Sequence, residues 1–232
     1  MSDLYYDFYI TFIFEDRWTF FFEGFLMTMV LTISSFILGS VIGAVFCALM
    51  FSKNKVFKKL INLLNSFLVQ LPTLVLLMIF VYVVFVDTNI STVIVAIVGL
   101  TIKNAAYMAD IFYSAVSSVS EGEIEAARAL GMSKSQAFFY VTLPQAINNA
   151  VSIYQNQFVS CLQETSVVGT LAISDLTKMS SIITSRTLKA LFSVICISVI
   201  YILIGYLGTS LISLLNKNKH LNVELGDEQW LK

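Results

Sequence analysis

Along this chain, apolar runs long enough to cross a lipid bilayer alternate with short polar interruptions. Leu26 to Phe51 carries no charged residue and exceeds the roughly 20 residues a helix needs to traverse the hydrocarbon core. Within it, Gly39 and Gly43, with Ser34, Ser35 and Ser40 nearby, predict close approach of a neighbouring helix, because small side chains let two backbones meet. Leu60 to Val86 is also free of charge but is interrupted by Gln70-Leu71-Pro72-Thr73. Proline has no amide hydrogen to donate, so a helix bends or restarts there. An interfacial helix leading into a span and a single kinked span both fit this pattern. Asp87-Thr88-Asn89 makes a short outer turn, and Ser91 to about Val119 is again helix-like. The fourth span is disguised. Gln145 to Gln163 holds no charge, yet Asn149, Ser152, Asn156, Ser160 and Gln163 recur at intervals of three and four, beside Glu164. That spacing puts a polar stripe on one helical face, read here as facing a pathway. Residues 165–189, with Asp175, Lys178, Arg186 and Lys189, predict an outer loop with short helical pieces. Ala190 to Asn216 is the last apolar run.

Charge then orients these spans. Lys53, Lys55, Lys58 and Lys59 follow the first span at once, and Lys217 and Lys219 follow the last. Basic clusters beside spans mark the cytoplasmic side. The prediction is an all-α membrane protein with five transmembrane helices, the N-terminus outside and the C-terminus inside. Composition agrees: 57% of the 232 residues are hydrophobic and 12% are charged, about half the roughly 25% typical of a soluble domain, and the mean hydropathy is +0.82. A net charge of −1 provides no footprint for nucleic acid. Asp3, Asp7, Glu15 and Asp16 against a lone Arg17 do not make the basic start of a signal peptide. Tyr5, Tyr6, Phe8, Tyr9, Phe12, Phe14 and Trp18 crowd the same stretch, and amphipathic rings favour the lipid–water boundary. Residues 1–19 are therefore expected to be an interfacial segment, 20–216 the membrane domain and 217–232 a cytoplasmic polar tail.

Two places carry candidate chemistry. The third span contains Lys103, Tyr107 and Asp110, at spacings of four and three and so on one helical face. A charge at bilayer depth costs about 3 kcal/mol even on lenient scales, so this face must meet other helices or water. Lys103 and Asp110 stand about 10 Å apart along the axis, too far to pair directly. Lys103, Asn104, Tyr107, Asp110, Asn156, Gln163 and Glu164 are the candidates to line a solute pathway. Lys103 and Glu164 could meet the carboxylate and ammonium of a zwitterion, or Lys103 and Asp110 could only fix helix packing. The second place is residues 120–143, between spans three and four. Ser120-Glu121-Gly122-Glu123 and Ser133-Lys134-Ser135-Gln136 both read as capping boxes, and Gly131 as a left-handed stop. The segment is predicted as two short helices around a glycine, the second ending before Pro144. Helices below ~12 residues are marginal alone, so something packs on them, and Ala126, Ala127 and Ala129 offer a low surface for it.

Glu125-Ala126-Ala127, Gly131 and Val141-Thr142-Leu143-Pro144 resemble the EAA signature of ABC importer permease subunits, and more narrowly the polar amino-acid permease family. Asn104 to Phe112, Leu143-Pro144-Gln145-Ala146, Asn156-Gln157-Phe158 and Glu164-Thr165-Ser166-Val167 extend the resemblance, in order, over about residues 20–215. It implies that Glu125, Ala126, Ala127 and Gly131 form a cytoplasmic coupling helix seated in an ATP-binding subunit. It also implies two such ATPase subunits, a second permease chain, identical or homologous, an extracytoplasmic solute-binding protein and a place in the bacterial inner membrane. The cargo would be a polar amino acid. This chain departs from the family's habit at Val69-Gln70-Leu71-Pro72, where Arg-Gly often precedes Thr-Pro, at Tyr113-Ser114 and at Gln163, and Lys103 is unusual for its position. No phosphate-binding loop of the G-x-x-x-x-G-K-[ST] type is present, so ATP and Mg would belong to the partner subunits and this chain carries no cofactor. The sole histidine, His220, lies in the polar tail, and Cys47, Cys161 and Cys196 are scattered in apolar runs. They predict neither a metal site nor a catalytic one. The rival classes are a carrier or channel driven by an ion gradient, which would use Lys103, Asp110 and Glu164 as a relay, and a non-transporting scaffold.

Overall fold

The computed structural model describes residues 2–227, and these form helices without strands. The first is α1 (Ser2–Phe12), followed by a tight turn and α2 (Trp18–Met50). Next come α3 (Lys55–Gln70), α4 (Thr73–Ile79) with a π-helical turn over Phe80–Val84, and α5 (Thr92–Ser117). Two short helices, α6 (Glu121–Ala129) and α7 (Lys134–Ala137), lead into α8 (Leu143–Glu164). The chain closes with α9 (Leu176–Thr187) and α10 (Leu191–Asp227).

The bundle is organised on the α2–α5 pair, which the two sequence-marked glycines bring together. A Cβ at Gly39 would lie 2.6 Å from Asn104 Nδ2, and one at Gly43 would lie 2.5 Å from Met108 Cβ and 2.9 Å from the Ala105 carbonyl. These contacts pair residue 39 with 104 and 43 with 108, so the helices run parallel. Van der Waals packing replaces the hydrophobic effect as the force between helices in lipid. Gly43→Ala is therefore expected to lower stability by about 1–3 kcal/mol through overpacking, seen as a fall in melting temperature in detergent. An unchanged melting temperature would mean the crossing is looser than drawn. Ser40 binds Tyr154 of α8 at 3.0 Å, and Phe36 packs against Tyr154 and Phe158, which closes α8 onto the same pair.

Several elements differ from the sequence-based expectation. Among the described residues, three helices are long and apolar enough to cross a membrane by themselves, in α2, α5 and α10, and α3 with α4 forms a further pair bent by 105°. That bend makes the proline site a break rather than a mild kink. α3 also packs along α5: Asn65 meets Asp110 and the carbonyls of Leu68, Val69 and Leu71 meet Lys103. α8 is less apolar because of its polar stripe, although its 22 residues reach about 33 Å. The helix expected to end before Pro144 instead continues, through a π-helical turn over Phe138–Thr142, into α8. A π turn is how a helix absorbs a misfitting residue without ending.

The short helical pieces expected over residues 165–189 are a 3-10 segment over Thr165–Leu171 and α9, and both pack into the bundle. Asp175 accepts from the amides of Thr177 and Lys178 at 3.0 Å each and starts α9. α9 then packs on α2, with Leu176 donating its amide to Thr28 Oγ1 at 3.1 Å and Gly24 facing the Leu176 backbone. α1 is held to this same end by a Lys189–Asp7 ion pair at 3.2 Å and a Phe8–Phe192 edge contact. Phe12 packs on Phe21, and the tyrosines of α1, Tyr5, Tyr6 and Tyr9, are exposed. The tail is helical as far as Asp227; residues 228–232, like Met1, lie outside the described residues. Because α2 and α5 are parallel, α1 and α9, at the start of α2, sit at one end of the bundle and α6 and α7, after the end of α5, at the other.

Candidate functional site

Polar groups gather where the α3–α4 break meets α5 and α8. A cleft of about 550 Å³ opens there, lined by Thr73, Leu74, Tyr107, Gln157, Ser160, Gln163, Glu164 and Val167. Glu164, at the last turn of α8 and half-buried, is the sole ionisable acid or base in that lining besides the Tyr107 phenol. The volume falls within the usual range for small-molecule sites. Of the predicted pathway residues, Tyr107, Gln163 and Glu164 line the cleft.

The others lie elsewhere. Lys103 is 2% exposed, behind the cleft wall, and its ammonium donates to the carbonyls of Leu68, Val69 and Leu71 at 2.9, 2.7 and 2.6 Å. An ammonium has three hydrogens, so none is left for a solute carboxylate. Asn104 is buried at the helix junction: its Nδ2 donates to the Ser35 carbonyl at 3.2 Å, and its Oδ1 accepts from Gln157 Nε2 at 2.9 Å. That amide ties α2, α5 and α8 together. Asp110 accepts from Asn65 Nδ2 at 2.7 Å and does not meet Lys103, as their spacing required. Asn156 is exposed with Asn149, Ser152 and Gln163 along the outward face of α8. The sequence reading missed Thr73 and Gln157. Thr73 belongs to a helix start that only the break turns toward Glu164. Gln157 follows Asn156 directly and falls outside the three-and-four spacing that marked the stripe.

The second site is at the opposite end from α1. Gly131 adopts φ +92°, and the amides of Gly131 and Met132 donate back to the carbonyls of Arg128 and Ala127 at 3.0 and 3.2 Å. This Schellman pattern ends α6 as glycine at that position predicts. The second capping box also forms, with Ser133 and Gln136 bonding reciprocally. The first does not. Ser120 makes no side-chain cap, because Glu123 turns away to accept from Gln145 of α8. Ala127 and Ala137 are buried and seat the two helices on the bundle. Glu125, Ala126, Ala129 and Gly131 remain exposed, so Ala127 faces inward rather than joining the alanine surface expected of it. Leu130, 85% exposed, stands at the tip, with Phe139 and Tyr140 uncovered nearby. Lys58 reaches Tyr113 at 3.4 Å, which puts the basic cluster at this end too.

The profile of the family described as binding-protein-dependent transport system inner membrane component matches residues 35–220. The probable amino-acid permease protein YxeN of Bacillus subtilis is 36% identical, over 75% of this chain and 80% of its own length. The histidine/lysine/arginine/ornithine transport system permease protein HisM of Salmonella typhimurium is 30% identical, over 82% and 86%. Among solved structures, an amino acid ABC transporter with histidines superposes with a TM-score of 0.78 at 29% identity, covering 86% of this chain and 94% of that one. The inward-facing MetNI methionine ABC transporter shares the fold, with a TM-score of 0.71 at 22% identity over 86% and 97%. The chain belongs to the binding-protein-dependent transport system inner membrane components and is a permease subunit of an ABC importer.

Proposed function

We propose that this chain carries a polar amino acid across the bacterial inner membrane by alternating access driven by two partner ATP-binding subunits. The observation that carries the reading is the α6–Gly131–α7 unit. It is seated on the bundle by Ala127 and Ala137 while Glu125, Ala126, Leu130 and Gly131 stay uncovered, as a docking element must be. In this reading, Glu125, Ala126, Ala127 and Gly131 form the coupling segment, with Ala127 as its inner anchor. The basic cluster at the same end makes that end cytoplasmic. The topology is then five spans, with α3 and α4 together forming the second and α8 the fourth, the N-terminus outside and the C-terminus inside. Residues 1–19 lie at the outer interface, 20–216 form the membrane domain and 217–232 the cytoplasmic tail. ATP and Mg are bound by the partners, and an extracytoplasmic solute-binding protein delivers the cargo.

The exposed stripe of Asn149, Ser152, Asn156 and Gln163 cannot face lipid without cost. A second permease subunit, identical or homologous, covers it, and the cleft at Tyr107, Gln163 and Glu164 forms part of the path between them. The Glu164 carboxylate suits the ammonium of an amino acid. Labelled amino-acid uptake into proteoliposomes, with ATP supplied and the membrane potential collapsed, tests the energy source. Uptake is expected to continue at more than about half its rate, whereas an ion-gradient carrier would stop, since 100 mV is worth about 2.3 kcal/mol per charge.

A further inference from the structure

Lys103 is a buried cation whose partner is not an acid. No ion pair involving it is present among the described residues. A buried charge is expensive unless hydrogen-bonded, and here the bonding comes from the broken end of α3. That helix ends at Gln70 because Pro72 brings no amide hydrogen. The carbonyl of Leu68 is the group that an amide at residue 72 would have bonded, four positions on. The carbonyl end of a helix also carries roughly half a negative charge. The ammonium sits on this end, bonded to Leu68, Val69 and Leu71, with the Tyr107 ring centre 4.9 Å away. Beyond the break, α4 departs at 105° and puts Thr73 and Leu74 into the cleft wall that also holds Gln163 and Glu164.

We infer that Lys103 is a positioning residue that caps the broken end of α3 from the neighbouring helix and so fixes the Thr73–Leu74 wall of the cleft, without touching the solute. The cap stands on geometry alone; only its service to the cleft rests on the proposed amino-acid path. The test is a double-mutant cycle on the full-length chain, purified in detergent with the subunits that accompany it. Lys103→Met leaves three carbonyls without their donor and is expected to lower the melting temperature by about 6–12 °C. Pro72→Ala restores an amide to the Leu68 carbonyl and lets α3 continue, so in that background the same substitution should cost less than half as much. Equal losses in both backgrounds would overturn the cap. Lys103→Arg keeps the donors and should recover at least half of the loss. A loss as deep as that of Lys103→Met would also overturn it, and this arm does not depend on the proline variant assembling. Melting is read without transport. A cycle that holds in a chain unable to import amino acids would thus sink the functional reading and leave the cap standing.

Discussion

Replacing Leu130 by aspartate is expected to abolish ATP-driven uptake while leaving the bundle folded. Leu130 follows the last turn of α6 and is 85% exposed, so a polar replacement removes little packing within the chain. Surface substitutions of that kind usually change stability by less than about 0.5 kcal/mol. In an interface the balance is reversed. Burying a leucine side chain in a partner's groove contributes about 1.5–3 kcal/mol, and an unpaired carboxylate in the same place adds a further desolvation cost. Together these weaken docking by roughly a hundredfold or more. The check is co-purification of the ATP-binding subunits with wild type and with Leu130→Asp, alongside melting temperatures. Retained partners and retained uptake would remove α6 from the coupling path. Gly131 is a poorer probe of the same contact. Its positive φ strains any replacement, so loss of docking there could reflect a disrupted turn.

The second large effect is expected at Glu164. Glu164→Gln keeps the shape and removes the cleft's carboxylate. If Glu164 receives the ammonium of the passing amino acid, the loss of a charge-assisted bond of about 1.5–3 kcal/mol should slow translocation by roughly ten- to a hundredfold. Initial uptake rates with saturating binding protein provide the measurement, since they isolate the membrane step from solute capture. A rate within about twofold of wild type would exclude the carboxylate from the path. The paired role once open to Lys103 is not part of this prediction, because the hydrogens of its ammonium are already bound to the end of α3.

Local signals and long-range ones divided cleanly in this chain. α5 was legible to within about two residues, and α8 likewise, once its polar spacing was taken as a helical face rather than as loop. Gly39, Gly43 and Gly131 were also legible, because a close helix crossing and a left-handed turn each demand a residue without a side chain. Residues 120–143 were readable as a helix, a glycine stop and a second helix start for the same reason: caps and stops act over a few residues. Misreadings arose where a distant partner decided. Glu123 left its own capping box for Gln145 on another helix, and Pro144 was absorbed by a π turn instead of ending its helix. The helical pieces expected over residues 165–189 did form, and what the sequence left open was their packing, set where Thr28 and Gly24 of α2 receive Leu176.

By itself, the order of residues determined the membrane class, the helical elements, the glycine crossing and the family signature, since each depends on composition or on neighbours within a turn or two. Only the tertiary structure decided which polar residues meet. It set Lys103 on the end of α3, Asp110 on Asn65, Asn104 between three helices and Glu164 in the cleft. Spacing along one helix reports a shared face but not what the adjoining helix presents to it, and a buried charge or amide is defined by that facing surface.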